Sequence, residues 1–156
     1  MKTSTERILL HWREAVPNDR LAHLVRDTAR SFDRQLQTQL AIHGVAFGHW
    51  VFLRILWNQD GLSQKQLSME AGVMEPTTAN AIKAMEQLGY ITRRQSPTNR
   101  KNMYVYLTIQ GKKLESKLVP LAETVNRTSV QGIDEAQLQT VRTVLLQMIE
   151  NLAKAG

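Results

Sequence analysis

One segment in the middle of the chain restricts the possible folds more than any other feature, because it carries two short helix signals with a tight break between them. Ser63 and Gln66 predict a capping box that starts the first helix, and Gly72 suits a left-handed end of that helix. Pro76 favours the first turn of a second helix, which we expect to continue to Gly89. The segment therefore predicts a helix-turn-helix.

Strand signals follow the second helix directly. β-Branched and aromatic residues dominate residues 90–94 and 103–108, and the connection between them, residues 96–102, is polar and basic. This pattern is typical of a β-hairpin, which forms a wing when it follows a helix-turn-helix. The second helix of such a motif lies in the major groove of DNA, and cations on a wing can enter the minor groove or contact phosphates. The sequence predicts a DNA-binding winged helix-turn-helix.

The charge of this segment supports a nucleic-acid partner. Residues 63–108 hold six basic and three acidic residues, a local charge of +3, and the whole chain carries +6. At the start of the second helix, asparagine can pair with adenine, threonine can contact a thymine methyl group, and glutamate can accept from cytosine. We predict DNA contacts from Ser63, Gln64 and Lys65 at the first helix, from Glu75, Thr77, Thr78, Asn80 and Lys83 on the second, and from Arg93, Arg94, Arg100 and Lys101 on the wing.

Helical periodicity flanks the winged segment on its N-terminal side. Asn18, preceded by Pro17, predicts the start of a helix that ends near His43. Residues 47–58 are apolar nearly all round, which predicts a buried central helix. A shorter amphipathic arm, which could pack on a partner chain, precedes both helices and carries Ile8, Leu9, Trp12 and Val16.

Two more helices are expected on the C-terminal side. An apolar stripe after Gly111 predicts one, which Pro120 could bend, and Asp134 with Gln137 predicts the capped start of the other. The fold class is therefore mainly α with a small β-wing, a winged helix-turn-helix domain plus N- and C-terminal dimerisation helices. We expect one continuous compact domain, with the DNA-binding lobe at residues 46–109 and a helical dimerisation region at 1–45 and 110–156. A symmetric dimer would bury the apolar terminal helices.

Several other functions are excluded or disfavoured by what the sequence lacks. The chain has no cysteine, which excludes disulfides, thiolate metal sites and thiol-based peroxide sensing. No two of its four histidines share a ligand-like spacing on one helix, and no catalytic motif is present, so we expect no metal, no cofactor and no enzyme. No apolar stretch approaches the ~20 residues of a membrane span, and the charged N-terminus does not resemble a signal peptide, so we expect a cytoplasmic protein. The remaining alternative is a winged-helix protein-interaction module without sequence-specific DNA binding.

Several motifs follow one another along the chain: LSQKQL at 62–67, PTT at 76–78, MEQLGYITR at 85–93, Arg100, and Leu107-Thr108 followed by Gly111. In this order and spacing they resemble a known family, the MarR (multiple antibiotic resistance regulator) family. The resemblance covers about residues 21–152 and departs from the family at three positions. Asn99 replaces the wing aspartate that braces the following arginine in many members, and Asn80 and Lys83 replace residues that are often arginine and aspartate.

The resemblance implies how such a protein works. Members are homodimers that bind inverted-repeat operators, commonly as repressors, and they are released by small aromatic or phenolic effectors. The effector would lie between the dimerisation helices and the winged lobe, where aromatic walls and a cation suit an aromatic acid. By analogy the pocket residues would be Trp12, His23, Phe47, Trp50 and Arg54.

Overall fold

The computed structural model describes residues 3–14 and 21–156, and in these ranges the chain is mainly helical with one small sheet. This confirms the predicted fold class. Asn18, Pro17 and Val16, which we assigned to a helix start and to the N-terminal arm, lie outside the described residues. The elements are α1 (Ser4–Glu14), α2 (Leu21–Ile42), α3 (Phe47–Asn58), β1 (Leu62–Ser63), α4 (Gln64–Ala71), α5 (Glu75–Gln87), β2 (Ile91–Gln95), β3 (Met103–Leu107), α6 (Ile109–Ser129) and α7 (Glu135–Ala155).

Helix α3 lies at the centre of the core, as its apolar sequence predicts. It buries Trp50, Phe52, Leu53 and Leu56, and these side chains join buried residues of α2, α4, α5, α6 and the sheet. Burial also lowers the pKa of His49 on the same helix, so its imidazole is neutral at neutral pH. The core contributions from the surrounding elements are Leu40, Leu67, Ile82, Met85, Ile91, Val105, Leu107 and Leu118.

The helix-turn-helix forms with the predicted end signals. Gln66 N donates to Ser63 Oγ at 3.1 Å and Ser63 N donates to Gln66 Oε1 at 2.9 Å, which completes the capping box of α4. Gly72 ends α4 with a φ of +66°, a left-handed conformation that costs glycine little. Pro76 lies in the first turn of α5. These local signals fix the break between α4 and α5.

The wing belongs to a three-stranded antiparallel sheet with the order β1-β3-β2. Its register pairs Ile91 with Leu107 and Leu62 with Val105, so that strand side chains close one end of the core. Sequence patterns predict β2 and β3 but not the two-residue β1, whose short run carries no periodicity. The segment that enters α4 is therefore joined through β1 to β3, the central strand of the sheet.

A close approach between α6 and the start of the wing depends on Gly111. The apolar stripe after Gly111 predicts a helix that starts beyond this glycine, whereas α6 begins at Ile109 with Thr108 as its N-cap. A Cβ atom on Gly111 would overlap the Tyr90 carbonyl oxygen. In addition, Trp57 Nε1 donates to the Gly111 carbonyl oxygen at 2.9 Å. Glycine at this position lets α3, α6 and the wing meet.

The outer helices leave a large apolar surface uncovered. Helix α7 starts at the predicted Asp134 capping box but buries none of its side chains. An open apolar cavity of about 630 Å³ lies between α1, α2, α6 and α7. Helix α1 also contacts its own chain here, because Trp12 Nε1 donates to the Asp27 carboxylate at 2.9 Å. Within residues 3–14 and 21–156, no single helix is both long and apolar enough to cross a bilayer.

Candidate nucleic-acid interface

A polar groove of about 650 Å³ separates the head of α4 and the head of α5 from the wing. Five residues predicted to contact DNA line this one groove, although they come from three separate parts of the chain. The groove presents two lysines, one glutamate and several neutral polar groups. Its lining consists of Ser63, Gln64, Lys65, Gln66, Glu75, Lys101, Asn102, Met103 and Tyr104.

The outer face of α5 carries most of the side chains predicted to read bases. Glu75, Thr77, Asn80 and Lys83 are exposed on this helix. Thr78 is a correction, because its side chain is fully buried and its hydroxyl hydrogen bonds to Ser68 Oγ at 2.7 Å. A buried side chain cannot reach a base edge. Thr78 instead joins α5 to α4 and fixes the angle between the two helices.

The wing tip holds its two cations on an ordered turn. Arg100 and Lys101 are both exposed. Asn99 Oδ1 accepts a hydrogen bond from Lys101 N at 3.1 Å, and the Asn99 backbone carbonyl accepts from Asn102 N at 3.1 Å. Asn99, which replaces the family's wing aspartate, therefore braces the backbone of the turn that carries both cations.

Arg93 at the base of the wing makes an ion pair that the sequence analysis missed. Its Nε and Nη2 atoms donate to the two carboxylate oxygens of Glu86 at 3.1 and 2.9 Å. These hydrogen bonds hold the pKa of Glu86 below its usual value. The pair joins the last turns of α5 to β2, so Arg93 positions the wing relative to the helix that would enter the major groove.

The neighbouring Arg94 is also engaged within the chain. Its guanidinium carbon lies 4.8 Å from the centroid of the Tyr106 ring, a cation–π distance. Arg94 and Tyr106 lie on paired strands, since Arg94 faces Tyr104 in the β2–β3 register and Tyr106 is two residues further along β3. Diagonal neighbours on paired strands are within reach of long and aromatic side chains. Tyr106 is such a neighbour of Arg94, so the strand register would have predicted this contact.

The five residues predicted to form an effector pocket do not come together. Trp50 is 6% exposed and packs edge-on against Trp57, and Phe47 packs against the core. His23 and Arg54 are exposed on α2 and α3, and only Trp12 of the five lines the apolar cavity between α1, α2, α6 and α7. Trp50 is therefore corrected to a core residue. Within the described ranges, no group of three His, Asp or Glu side chains could hold a metal ion.

Comparison with protein families and with characterised relatives agrees with this geometry. The MarR family model matches residues 48–103, from α3 to the first residue of β3. The transcriptional regulator TtmR of Methylorubrum extorquens is 25% identical over 118 residues, which cover 76% of this chain and 60% of TtmR. An organic hydroperoxide resistance transcriptional regulator of Bacillus subtilis is 26% identical over 132 residues, which cover 84% of this chain and 90% of the regulator.

Solved structures share the fold over most of the chain. A MarR transcriptional regulator from Methanosarcina mazei superposes with a TM-score of 0.79 at 26% identity, covering 87% of this chain and 98% of the other. A MarR family protein from Listeria monocytogenes, solved with a 26mer DNA, gives a TM-score of 0.76 at 24% identity and coverages of 86% and 90%. Bordetella bronchiseptica BpsR, whose DNA binding is regulated by 6-hydroxynicotinic acid, gives 0.76 at 20% identity and coverages of 83% and 98%. Sequence motifs, fold and relatives agree that this chain is similar to the winged-helix transcriptional regulators of the MarR family, whose family model matches residues 48–103.

Proposed function

We propose that this chain is a homodimeric, ligand-responsive repressor that binds an inverted-repeat operator. The observation that carries the proposal is the polar groove, because one surface combines the head of α5, the capped start of α4 and the cationic wing tip. In a helix-turn-helix, the first residues of the second helix reach base edges. We assign the DNA-binding lobe to residues 46–109 and the dimerisation region to residues 1–45 and 110–156.

The proposed contacts divide by chemistry into base reading and backbone binding. Glu75, Thr77 and Asn80 present short polar groups suited to hydrogen bonds with base edges in the major groove. Lys65 on α4 and Lys101 on the wing both line the polar groove, and both can pair with phosphates. The acidic Glu75 lines the same groove and would be repelled by phosphate, so its place is beside a cytosine amino group. Specificity would come from α5 and most of the affinity from the lysines and Arg100.

The proposal of a second copy rests on the outer helices. Val141 and Leu145 line the apolar cavity and are 51% and 39% exposed, and the apolar stripe of α7 continues to Ile149 and Leu152. Patches of this extent on a soluble protein mark an interaction surface. An isologous contact would cover the stripe with the same stripe of a second chain and would place two winged lobes on one duplex.

The proposed effector is a small aromatic or phenolic compound. Support comes from the family and from BpsR, a fold relative whose DNA binding responds to 6-hydroxynicotinic acid. The similar Bacillus regulator acts in organic hydroperoxide resistance, but this chain has no cysteine, so a thiol cannot be its sensor. A thermal-shift screen of aromatic acids and phenols tests the proposal. A hit should raise the melting temperature and lower DNA affinity, and a screen without hits would contradict it.

Duplex binding as a function of salt tests the DNA-binding proposal. The logarithm of the association constant should fall linearly with the logarithm of salt concentration, with a slope of about 0.9 per phosphate neutralised. Arg100→Ala should weaken binding to all duplexes and reduce that slope by about 1, whereas Asn80→Ala should change the preferred sequence. Lys154→Ala, an equal charge change at the exposed end of α7, is the control and should change neither. A flat salt response would favour the protein-interaction alternative.

A cytoplasmic location is part of the same proposal. A regulator that binds chromosomal DNA works in the compartment that holds the DNA. Fractionation of cells that express the chain tests this, and recovery of the chain from the membrane fraction would contradict it.

A further inference from the structure

The N-cap residue of α5 does not have the capping side chain that starts α4. Met74 is the N-cap of α5, and its side chain makes no capping hydrogen bond. The neighbouring helix α4 has a complete capping box built on Ser63. Ser, Thr, Asp or Asn at position 74 would stabilise α5, because each accepts from a free backbone N–H at the helix start. Because the Met74 side chain makes no such hydrogen bond, α5 lacks this stabilisation.

Exposure of Met74 adds a second anomaly. Its side chain is 76% exposed, although it is large and apolar. Val73, the preceding residue in the turn, is also more than one-third exposed. Sequences that break local rules without a packing gain commonly do so at functional sites. The missing cap and the exposure together make Met74 a candidate for an apolar contact outside the core of this chain.

The position of Met74 identifies what it would meet. Met74 directly precedes Glu75 and lies three residues before Thr77, and both of these residues are exposed on the face of α5 assigned to base edges. The main apolar feature on the floor of a major groove is the C5-methyl group of thymine. Methionine is flexible and polarisable, so its thioether can settle against a methyl group without exact alignment.

We propose that Met74 reads a thymine by apolar contact with its C5-methyl group. The inference rests on the proposed function, since it needs α5 to lie in the major groove. It gives α5 one apolar reader at its head, followed by the polar readers Glu75, Thr77 and Asn80. The operator should then contain, in each half-site, a thymine whose methyl group contributes to affinity.

Uracil substitution tests the inference because it removes only the methyl group. Duplexes selected by the wild-type protein are remade with single deoxyuridine for thymine, one position at a time in each half-site, and the binding of each is measured. Loss of a buried methyl contact should weaken wild-type binding about fourfold at one position. Met74→Ser, which restores a cap, should abolish the sensitivity at that position, and Met74→Leu should retain it.

Matched variants separate this contact from general effects. Met69→Ser changes an equally exposed methionine on α4 and should keep the wild-type pattern of uracil sensitivity. Melting curves of Met74→Ser should show a stability equal to or above that of the wild type, which establishes that the variant is folded. Wild-type binding unchanged at every uracil position, or the same sensitivity in Met74→Ser, would overturn the inference while leaving DNA binding intact. Failure of the wild type to bind any duplex would overturn the proposed function itself.

Discussion

The winged segment and helix α7 differ in what they do with their apolar side chains. Between Leu62 and Leu107, the segment buries Leu67, Ile82, Met85 and others in the core of its own chain. Its outer surface is mainly polar and cationic, with a few exposed apolar side chains such as Met69 and Met74. Helix α7 buries none of its 21 residues, although apolar side chains repeat along it. A single chain therefore covers most apolar side chains of the winged segment, whereas it leaves most of those of α7 exposed.

In the proposed dimer, this difference would assign DNA binding and dimerisation to separate parts of the chain. The apolar contacts that hold the winged segment together lie behind its DNA-facing surface, so they can be altered without changing the charges presented to a duplex. The apolar side chains of α7 are exposed in one chain, and the proposed dimer would cover them with a second copy. Substitutions in the winged segment should therefore change stability or DNA recognition, whereas substitutions in α7 should change the oligomeric state.

The largest effect is expected from Leu145→Asp on α7. A carboxylate at this position would be buried twice in a symmetric dimer, at a cost on the order of several kcal/mol for each copy. The variant should be monomeric in sedimentation equilibrium and should lose tight operator binding, while its helical content stays unchanged. Ile109→Asp, at an exposed apolar residue outside the cavity, is the control and should remain dimeric. A dimeric Leu145→Asp variant would refute the role given to α7.

Gly111→Ala should destabilise the fold of each chain. The added Cβ would overlap the Tyr90 carbonyl oxygen, so α6 and the wing would have to move apart. We expect a loss of about 3 kcal/mol in the free energy of unfolding, measured in urea. Gly48→Ala in α3 is the matched control, because nothing lies within 4 Å of its Cβ position. That substitution should stabilise the chain by about 0.5–1 kcal/mol, and a similar loss in both variants would contradict the account.

The adjacent threonines of α5 should separate stability from recognition. Thr78→Val removes a buried hydroxyl that bonds to Ser68, and the free energy of unfolding should fall by about 1–2 kcal/mol with little change in the preferred operator sequence. Thr77→Val changes an exposed side chain and should cost under about 0.5 kcal/mol while it alters operator preference. Denaturation and binding of a duplex library measure both quantities. A reversed result would mean that the faces of α5 are wrongly assigned.

The smallest effect is expected from Glu86→Gln at the base of the wing. The pair with Arg93 is partly exposed, so its loss should cost no more than about 1 kcal/mol. Because the folded-state pKa of Glu86 is lowered, its contribution is present above the unfolded pKa and is lost as pH falls through the folded value. Stability of the wild type and the variant should therefore converge in acid. A constant difference down to the lowest pH would argue against the ion pair.

Local sequence signals predicted most of the fold because each depends on neighbouring residues. The capping boxes at Ser63 and Asp134 and the left-handed Gly72 formed as expected. Thr78 was misassigned although the signal was present, since it lies four residues before Ile82 and seven before Met85, on the buried helical face. The polarity of Thr78 is compatible with either face of α5, whereas the helical period places it on the buried one.

Contacts between distant parts of the chain were beyond such reasoning. Strand β1 exists only because β3, about 40 residues later, pairs with it. The predicted effector pocket does not form for a different reason. The apolar sequence of residues 47–58 already predicts a buried helix, but Phe47 and Trp50 were assigned to the pocket by analogy with the family. The pairs Glu86–Arg93 and Arg94–Tyr106 depend on the register of the wing.

Selection of bound sequences from a random duplex library, followed by the mass of the resulting complex, tests the central claim most directly. The account predicts an inverted repeat with half-site centres about one helical turn apart, bound by two chains per duplex at low ionic strength. An unrepeated motif, a complex with one chain per duplex, or no enrichment at all would contradict it.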